Sequence, residues 1–171
     1  MNIKSHKLLS ILAIFLFYGC QTTYKLAIPE IDPDVAQEER EFIYENYKLE
    51  YFGSILTGSY FQQDDSIKFP YPVAGELFEH SSEEAKLLYS SGSATTITAG
   101  IIGGVGGGLI GYPLGTAIGG KKWETVDYIL LGSGAGLSIV SFIVAEVGIS
   151  FFSDATEEYN RHLRELLKYE E

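Results

Sequence analysis

Charge-free apolar runs alternate with polar segments along the chain, and their lengths predict its elements. From Leu87 to Gly120 there is no Asp, Glu, Lys or Arg. This run predicts a membrane helix over residues 94–119, about 39 Å long at about 1.5 Å per residue, against a hydrocarbon core of about 30 Å. Pro113 lies inside it and predicts a local kink or break. Tyr128 to Ala145 is again uncharged, and apolar residues continue past Glu146, predicting a second membrane helix over 128–152. The loop between them, 120–127, opens on Lys121, Lys122 and Trp123, residue types that favour the membrane interface. The two segments therefore form a helical hairpin. Beyond them, 153–171 predicts an amphipathic helix with Tyr159, Leu163, Leu166 and Leu167 on one side, docked on the N-terminal domain or on a neighbouring copy.

Residues 34–92 have the mixed pattern of a small acidic domain. Asp34 is placed to cap a helix through Glu38, Glu39 and Arg40 to Tyr47, with acids near its start and Phe42, Ile43 and Tyr47 inward. Leu49 to Gln62, rich in Tyr, Phe, Ile and Thr and punctuated by Gly53 and Gly58, predicts one or two strands. A turn follows over Gln62 to Ser66. Pro72 suits the first turn of a short helix to Glu79, and Ser81 to Glu84 has the spacing of a capping box opening the helix that leads to the membrane. The expected fold class is α+β: a small mixed extracytoplasmic domain, a glycine-rich transmembrane hairpin and the C-terminal helix. A domain this small has a marginal core and needs an anchor or partner.

Glycine recurs at every fourth position in the first apolar run, at Gly103, Gly107, Gly111, Gly115 and Gly119, with a second ladder at Gly100, Gly104 and Gly108. In lipid, nothing hydrophobic drives helices together, so small residues that let backbones approach are the usual means of packing. These positions are the candidate packing site, for self-association or for another envelope membrane protein.

The net charge of −11 changes the picture by exclusion. Acids outnumber bases throughout residues 21–92, whereas a nucleic-acid partner requires a basic face. At the N-terminus, Lys4, His6 and Lys7 precede an apolar stretch, Leu8 to Tyr18, that is about 16 Å long as a helix at about 1.5 Å per residue. Too short to span, it has the layout of a secretory signal peptide over 1–19. Cys20, the single cysteine, follows it and can form no internal disulfide. Phe17-Tyr18-Gly19-Cys20 resembles the bacterial lipoprotein signal, which implies lipidation of Cys20. Several acyl chains hold a protein permanently on a bilayer. Gln21 lacks the inner-membrane retention Asp of that family, which leans toward the outer membrane, and 20–33, with Pro29 and Pro33, is the expected tether.

Together, that signal and the Gly103 to Gly119 ladder resemble the glycine-zipper outer-membrane lipoproteins, whose hairpins pack closely and self-associate. The resemblance implies a structural or assembly role in the bacterial envelope. The second segment departs from it, with only Gly132 and Gly136 at matching spacing. Gly111-Tyr112-Pro113-Leu114-Gly115, Trp123, Gly134-Ala135-Gly136 and Tyr159-Asn160 are also similar to a pattern in uncharacterised bacterial envelope proteins.

Other motifs carry little chemistry. Gly106 to Gly111 fits a dinucleotide fingerprint, and Gly115 to Lys121 fits the start of a phosphate loop, but Lys122 stands where a Ser or Thr must hold magnesium. His80 and His162 lack metal-ligand spacing, and no nucleophile-base constellation is visible, so neither an enzyme nor a cofactor or metal site is expected. Glu146 is the remaining candidate. An acid inside a span costs about 2.5 to 3.5 kcal/mol at the helix centre on insertion scales. At the span's end it is interfacial; within it, Glu146 would mark a transport path, the alternative function.

Overall fold

The computed structural model describes residues 35–55, 58–64 and 67–168. The expected signal peptide and tether, Cys20 and Asp34 lie outside the described residues, and the helix that opens at Gln37 has Ala36, not Asp34, in its cap position. In chain order the elements are α1 (Gln37–Tyr47), β1 (Leu49–Ser54), β2 (Gly58–Gln63), β3 (Ile67–Pro70), a 3-10 turn (Tyr71–Val73), α2 (Gly75–Glu79), α3 (Glu83–Ile118) and α4 (Thr125–Leu167). The fold is mixed, with one small sheet and a majority of helix. Both α3 and α4 are long and apolar enough to cross a membrane.

The sheet is antiparallel in the order β1-β2-β3. Strand residues alternate between faces, and Leu49, Phe61, Gln63 and Phe69 are buried on the inner one. On the outer face Phe52 stacks on Tyr60, with ring centroids 5.0 Å apart, and Lys68 lies 5.2 Å from the Tyr60 ring. The sequence reading missed β3 because Pro70 argues against a strand. Pro70 closes β3 opposite Tyr60 on the sheet edge, where a missing N–H is tolerated.

In α1 the inward residues are Tyr44, with Ile43 and Tyr47 partly buried, whereas Phe42 is 69 % exposed. Arg164 of α4 donates to the Tyr44 hydroxyl at 2.8 Å, which turns that face of α1 toward α4. The cap of α3 is Ser82 rather than Ser81: its Oγ accepts from the Ala85 N–H at 3.1 Å.

Two expected boundaries do not exist. Pro113 does not break α3, which continues to Ile118; its ring is fully buried against α4's side of the helix, near the end of the element. The C-terminal amphipathic helix is likewise not separate, because α4 runs unbroken from Thr125 past 152 to Leu167. Nothing between Phe152 and Glu158 is Gly or Pro, so no residue there favours an end.

Phe152, on the expected boundary, is the centre of the small domain's core. Its ring lies 5.3 to 5.7 Å from those of Tyr71, Tyr51, Phe61 and Tyr89. Ala155, Tyr159, Leu163 and Leu167 of α4 join Leu49, Phe61, Phe69, Leu77 and Phe78 in one cluster. Leu166, assigned to the docking side by sequence, is 45 % exposed. The core is thus shared between the N-terminal segment and the far end of the chain, which relieves the marginal size of residues 34–92.

Asn160 fixes this docking. Its Oδ1 accepts from the Leu49 N–H and its Nδ2 donates to the Leu49 carbonyl, both at 2.8 Å. One side-chain amide therefore satisfies both backbone groups of a fully buried residue on an edge strand. Asn160→Ala leaves both orphaned, and an unsatisfied buried polar group costs roughly 1–3 kcal/mol. Chemical unfolding of that variant is expected to shift downward accordingly; an unchanged midpoint would show that water replaces the amide.

A second clasp joins the start of α3 to α4. The Ser82 hydroxyl that caps α3 donates to Glu158 at 3.0 Å, and Arg161 donates to both Glu158 carboxylate oxygens at 2.6 and 2.8 Å. Arg161 first, and the Ser82 hydroxyl with it, hold the Glu158 carboxyl below its ordinary value of 4.5, against the opposing effect of burial. A depressed folded pKa means that the unfolded chain takes up the proton first. The contribution is complete above 4.5 and is lost as pH falls through the lower folded value. Thermal unfolding followed from neutral pH into this acid window should fall more steeply in the wild type than in Glu158→Gln; parallel curves would remove Glu158 from the account.

Candidate functional site

Buried residues, most of them small, recur along α3 and α4 at every seventh position. Ala85, Gly92, Ala99, Gly106 and Pro113 are buried on α3. Asp127, Gly134, Gly148 and Ala155 are buried on α4, with Ser141 between them donating to the Ala99 carbonyl at 2.8 Å. Seven-residue recurrence is the pattern of helices wound about one another, each wrapped at about 3.5 residues per turn.

The backbones meet most closely at Gly106 and Gly134. A Cβ on Gly134 would lie 2.7 Å from the Gly106 carbonyl oxygen and 3.0 Å from the Ile110 nitrogen. One on Gly106 would lie 3.0 Å from the Gly134 carbonyl oxygen. Gly148 faces the Thr96 backbone and Gly92 receives the Phe152 ring. Glycine is required here for close approach, not for an unusual backbone angle.

At the tip, Gly119 follows the last residue of α3 as its cap, and Gly120 takes a φ of +81°. The Gly120 N–H reaches the Ala117 carbonyl and the Lys121 N–H the Thr116 carbonyl, at 3.0 and 3.1 Å, closing the helix end. Glu124 and Asp127 form a reciprocal capping box, so α4 begins at Thr125, inside the expected 120–127 loop. Trp123 packs edge-on against Tyr128 at 5.1 Å.

The four-residue ladder is therefore not the hairpin seam. Only Gly103 meets α4, where a Cβ would lie 2.7 Å from the Ser141 Oγ. Gly107, Gly111 and Gly115 face open space, and Gly119 belongs to the helix end. The second ladder, Gly100, Gly104 and Gly108, is open as well, as are Gly132 and Gly136 on α4. Glycines outside both ladders or between them, namely Gly92, Gly106, Gly134 and Gly148, form the contact. Their signal in the sequence was the seven-residue spacing of small residues, which a search at four-residue spacing passes over.

Around the open glycines the hairpin exposes large apolar side chains: Ile97, Ile101, Val105 and Leu114 on α3, and Ile129, Ile139, Ile143 and Val147 on α4. Glu146 is exposed at the domain end of this band and off the seam, two positions before buried Gly148. It lies near enough to Tyr51 of β1 to act on its hydroxyl, whose pKa is raised, first by burial and then by the Glu146 charge, with the Ser59 hydroxyl acting the other way.

The remaining candidates are not brought together. His80 is exposed, its ring nitrogen 2.8 Å from the Glu76 carbonyl on the same short helix. Among the described residues no three His, Cys, Asp or Glu gather as a metal site. Gly106 to Gly111 lies within α3 rather than at a strand-to-helix turn, so neither it nor Gly115 to Lys121 has the context a phosphate loop requires. No protein-family model, curated protein or solved structure matches the chain.

Proposed function

We propose that this chain is an envelope membrane lipoprotein with a structural or assembly role, held by Cys20 acylation and by a hairpin that crosses the bilayer. Its outward glycine face packs against a second copy or another envelope membrane protein. The observation that carries this reading is the open face of Gly100, Gly104, Gly107, Gly108, Gly111 and Gly115, set among exposed isoleucine, valine and leucine. In water a continuous apolar surface along both helices is an aggregation liability; in lipid it is the ordinary exterior of a helix pair. From Ile97 to Ile118 and from Val126 to Val147 the exposed apolar band is about 30 Å long, close to a hydrocarbon core. Lys121, Lys122 and Trp123 at one end and Glu146 at the other bracket it with residues suited to the interface. Both helix ends away from the tip enter the small domain, so the acidic domain and the lipid share one side. The anchor rests on the Phe17-Tyr18-Gly19-Cys20 signal alone, and the outer membrane is favoured by Gln21.

Intact mass of the protein from density-separated membranes tests the anchor: the expected species begins at Cys20, carries acyl chains and sits in the outer membrane. The Cys20→Ser variant tests the span separately. It is expected to stay with the membrane through alkaline extraction, held by the hairpin. Release of that variant into the supernatant would overturn the span.

A further inference from the structure

We infer that the cleft between the sheet and the hairpin holds an acyl chain of a bilayer phospholipid, an inference that rests on the proposal that the hairpin crosses a bilayer. The cleft has a volume of about 400 Å³, within the roughly 300–1,000 Å³ of small-ligand sites. Ile55 of the β1–β2 turn, Tyr71 and Pro72 of the 3-10 turn, and Thr96, Ala145 and Ile149 of the two long helices form most of its wall.

Its position selects the occupant. Thr96 adjoins exposed Ile97, and Ala145 shares a face of α4 with Phe142, one turn closer to the tip and 53 % exposed, so the cleft continues the exposed apolar band at its domain end. A chain leaving the hydrocarbon there meets a mostly apolar wall, where the backbone amides of a peptide would find few partners. Charge selects the head group. No Lys or Arg is in the wall, and the exposed Glu146 directly follows Ala145 in α4. An anionic head is repelled and an ammonium head is attracted. Phosphatidylethanolamine fits this arrangement better than phosphatidylglycerol.

The full chain in vesicles of these two lipids, doped with phosphatidylethanolamine bearing a photoreactive group on its acyl chain, tests the site when the labelled residues are mapped by mass spectrometry. Labelling at Thr96, Ala145, Ile149 or Tyr71 is expected to exceed that on the open faces at Ile101 and Ile129 several-fold. Ala145→Trp, which fills the cleft, should abolish the excess without changing the labels at Ile101 and Ile129. Ile55→Asp, at a residue 38 % exposed, should do the same. Glu146→Lys should move the excess to a phosphatidylglycerol probe. Uniform labelling along the helices, or an excess that survives both cleft substitutions, overturns the site while leaving the span intact. Absence of label at Ile101 and Ile129 overturns the span and the site with it.

Discussion

Gly134→Leu is expected to force α3 and α4 apart and to lower the stability of the whole molecule. Even the first atom of the new side chain would lie 2.7 Å from the Gly106 carbonyl oxygen and 3.0 Å from the Ile110 nitrogen. Both are helix backbone atoms, which cannot rotate away as a side chain does. Overpacking a close contact costs typically about 1–3 kcal/mol, and a rigid backbone neighbour puts this substitution at or above the upper end. The damage does not stay in the hairpin, because α4 continues into the small domain and supplies Phe152, Tyr159, Leu163 and Leu167 to its core. Unfolding followed through Trp123, the single tryptophan, is expected to show a clear drop in midpoint. Gly136→Leu is the control, since a Cβ there meets nothing within 4 Å. Equal midpoints for the two variants would mean that the helices do not approach at Gly106 and Gly134.

Leucine at Gly107, Gly111 and Gly115 together is expected to do the opposite: leave the hairpin folded and abolish its packing on other helices. Each position opens away from α4, so no intramolecular contact is lost. Glycine in a helix interior is about 0.8–1 kcal/mol less favourable than alanine, and leucine lies near alanine, so the isolated hairpin should be as stable as the wild type or more so. Between helices in lipid the effect reverses. Three bulky side chains prevent the backbone approach on which such association depends. Energy transfer between labelled copies, measured across a range of protein-to-lipid ratios, should fall to the level of random proximity. Oligomer size unchanged by all three replacements would remove the glycine face from the proposed function.

The contrast between these variants follows from the period of the helix contact. A ladder at four-residue spacing advances around a helix by roughly 50° per step when the winding is about 3.5 residues per turn. It leaves the seam after Gly103 and passes to the outer side at Gly107, Gly111 and Gly115. Sequence reasoning singled out glycines at four-residue spacing, of which only Gly103 meets α4. It could not tell which partner each faced, because four-residue and seven-residue spacings of small residues coexist in the same run and only the second helix chooses between them.

Elsewhere the legible parts were local. The two apolar helices, β1 and β2, and Lys121 to Trp123 at the hairpin tip follow from short-range pattern and turn chemistry, whereas the single short helix expected from Pro72 to Glu79 is two pieces, a 3-10 turn that holds Pro72 and α2 from Gly75. Less legible were features decided by distant neighbours. Pro70 disguised β3, whose place on the sheet edge accommodates it. Ser81 and Ser82 are both plausible caps by spacing, and the contact of Ser82 with Glu158 on α4 separates them.

By itself, the sequence determined that this protein has two long apolar helices, short strands in an acidic segment ahead of them and glycine-rich helix surfaces, because hydropathy, charge and residue size act over a few turns of chain. The tertiary structure alone decided that α4 is one element from tip to core and that Phe152 is the centre of the small domain. It also decided that Gly106 and Gly134 close the hairpin while Gly107, Gly111 and Gly115 remain open. The physical reason is that burial belongs to pairs of surfaces. A residue's character is written in its own side chain, but which side of a helix is covered depends on the partner's path across it.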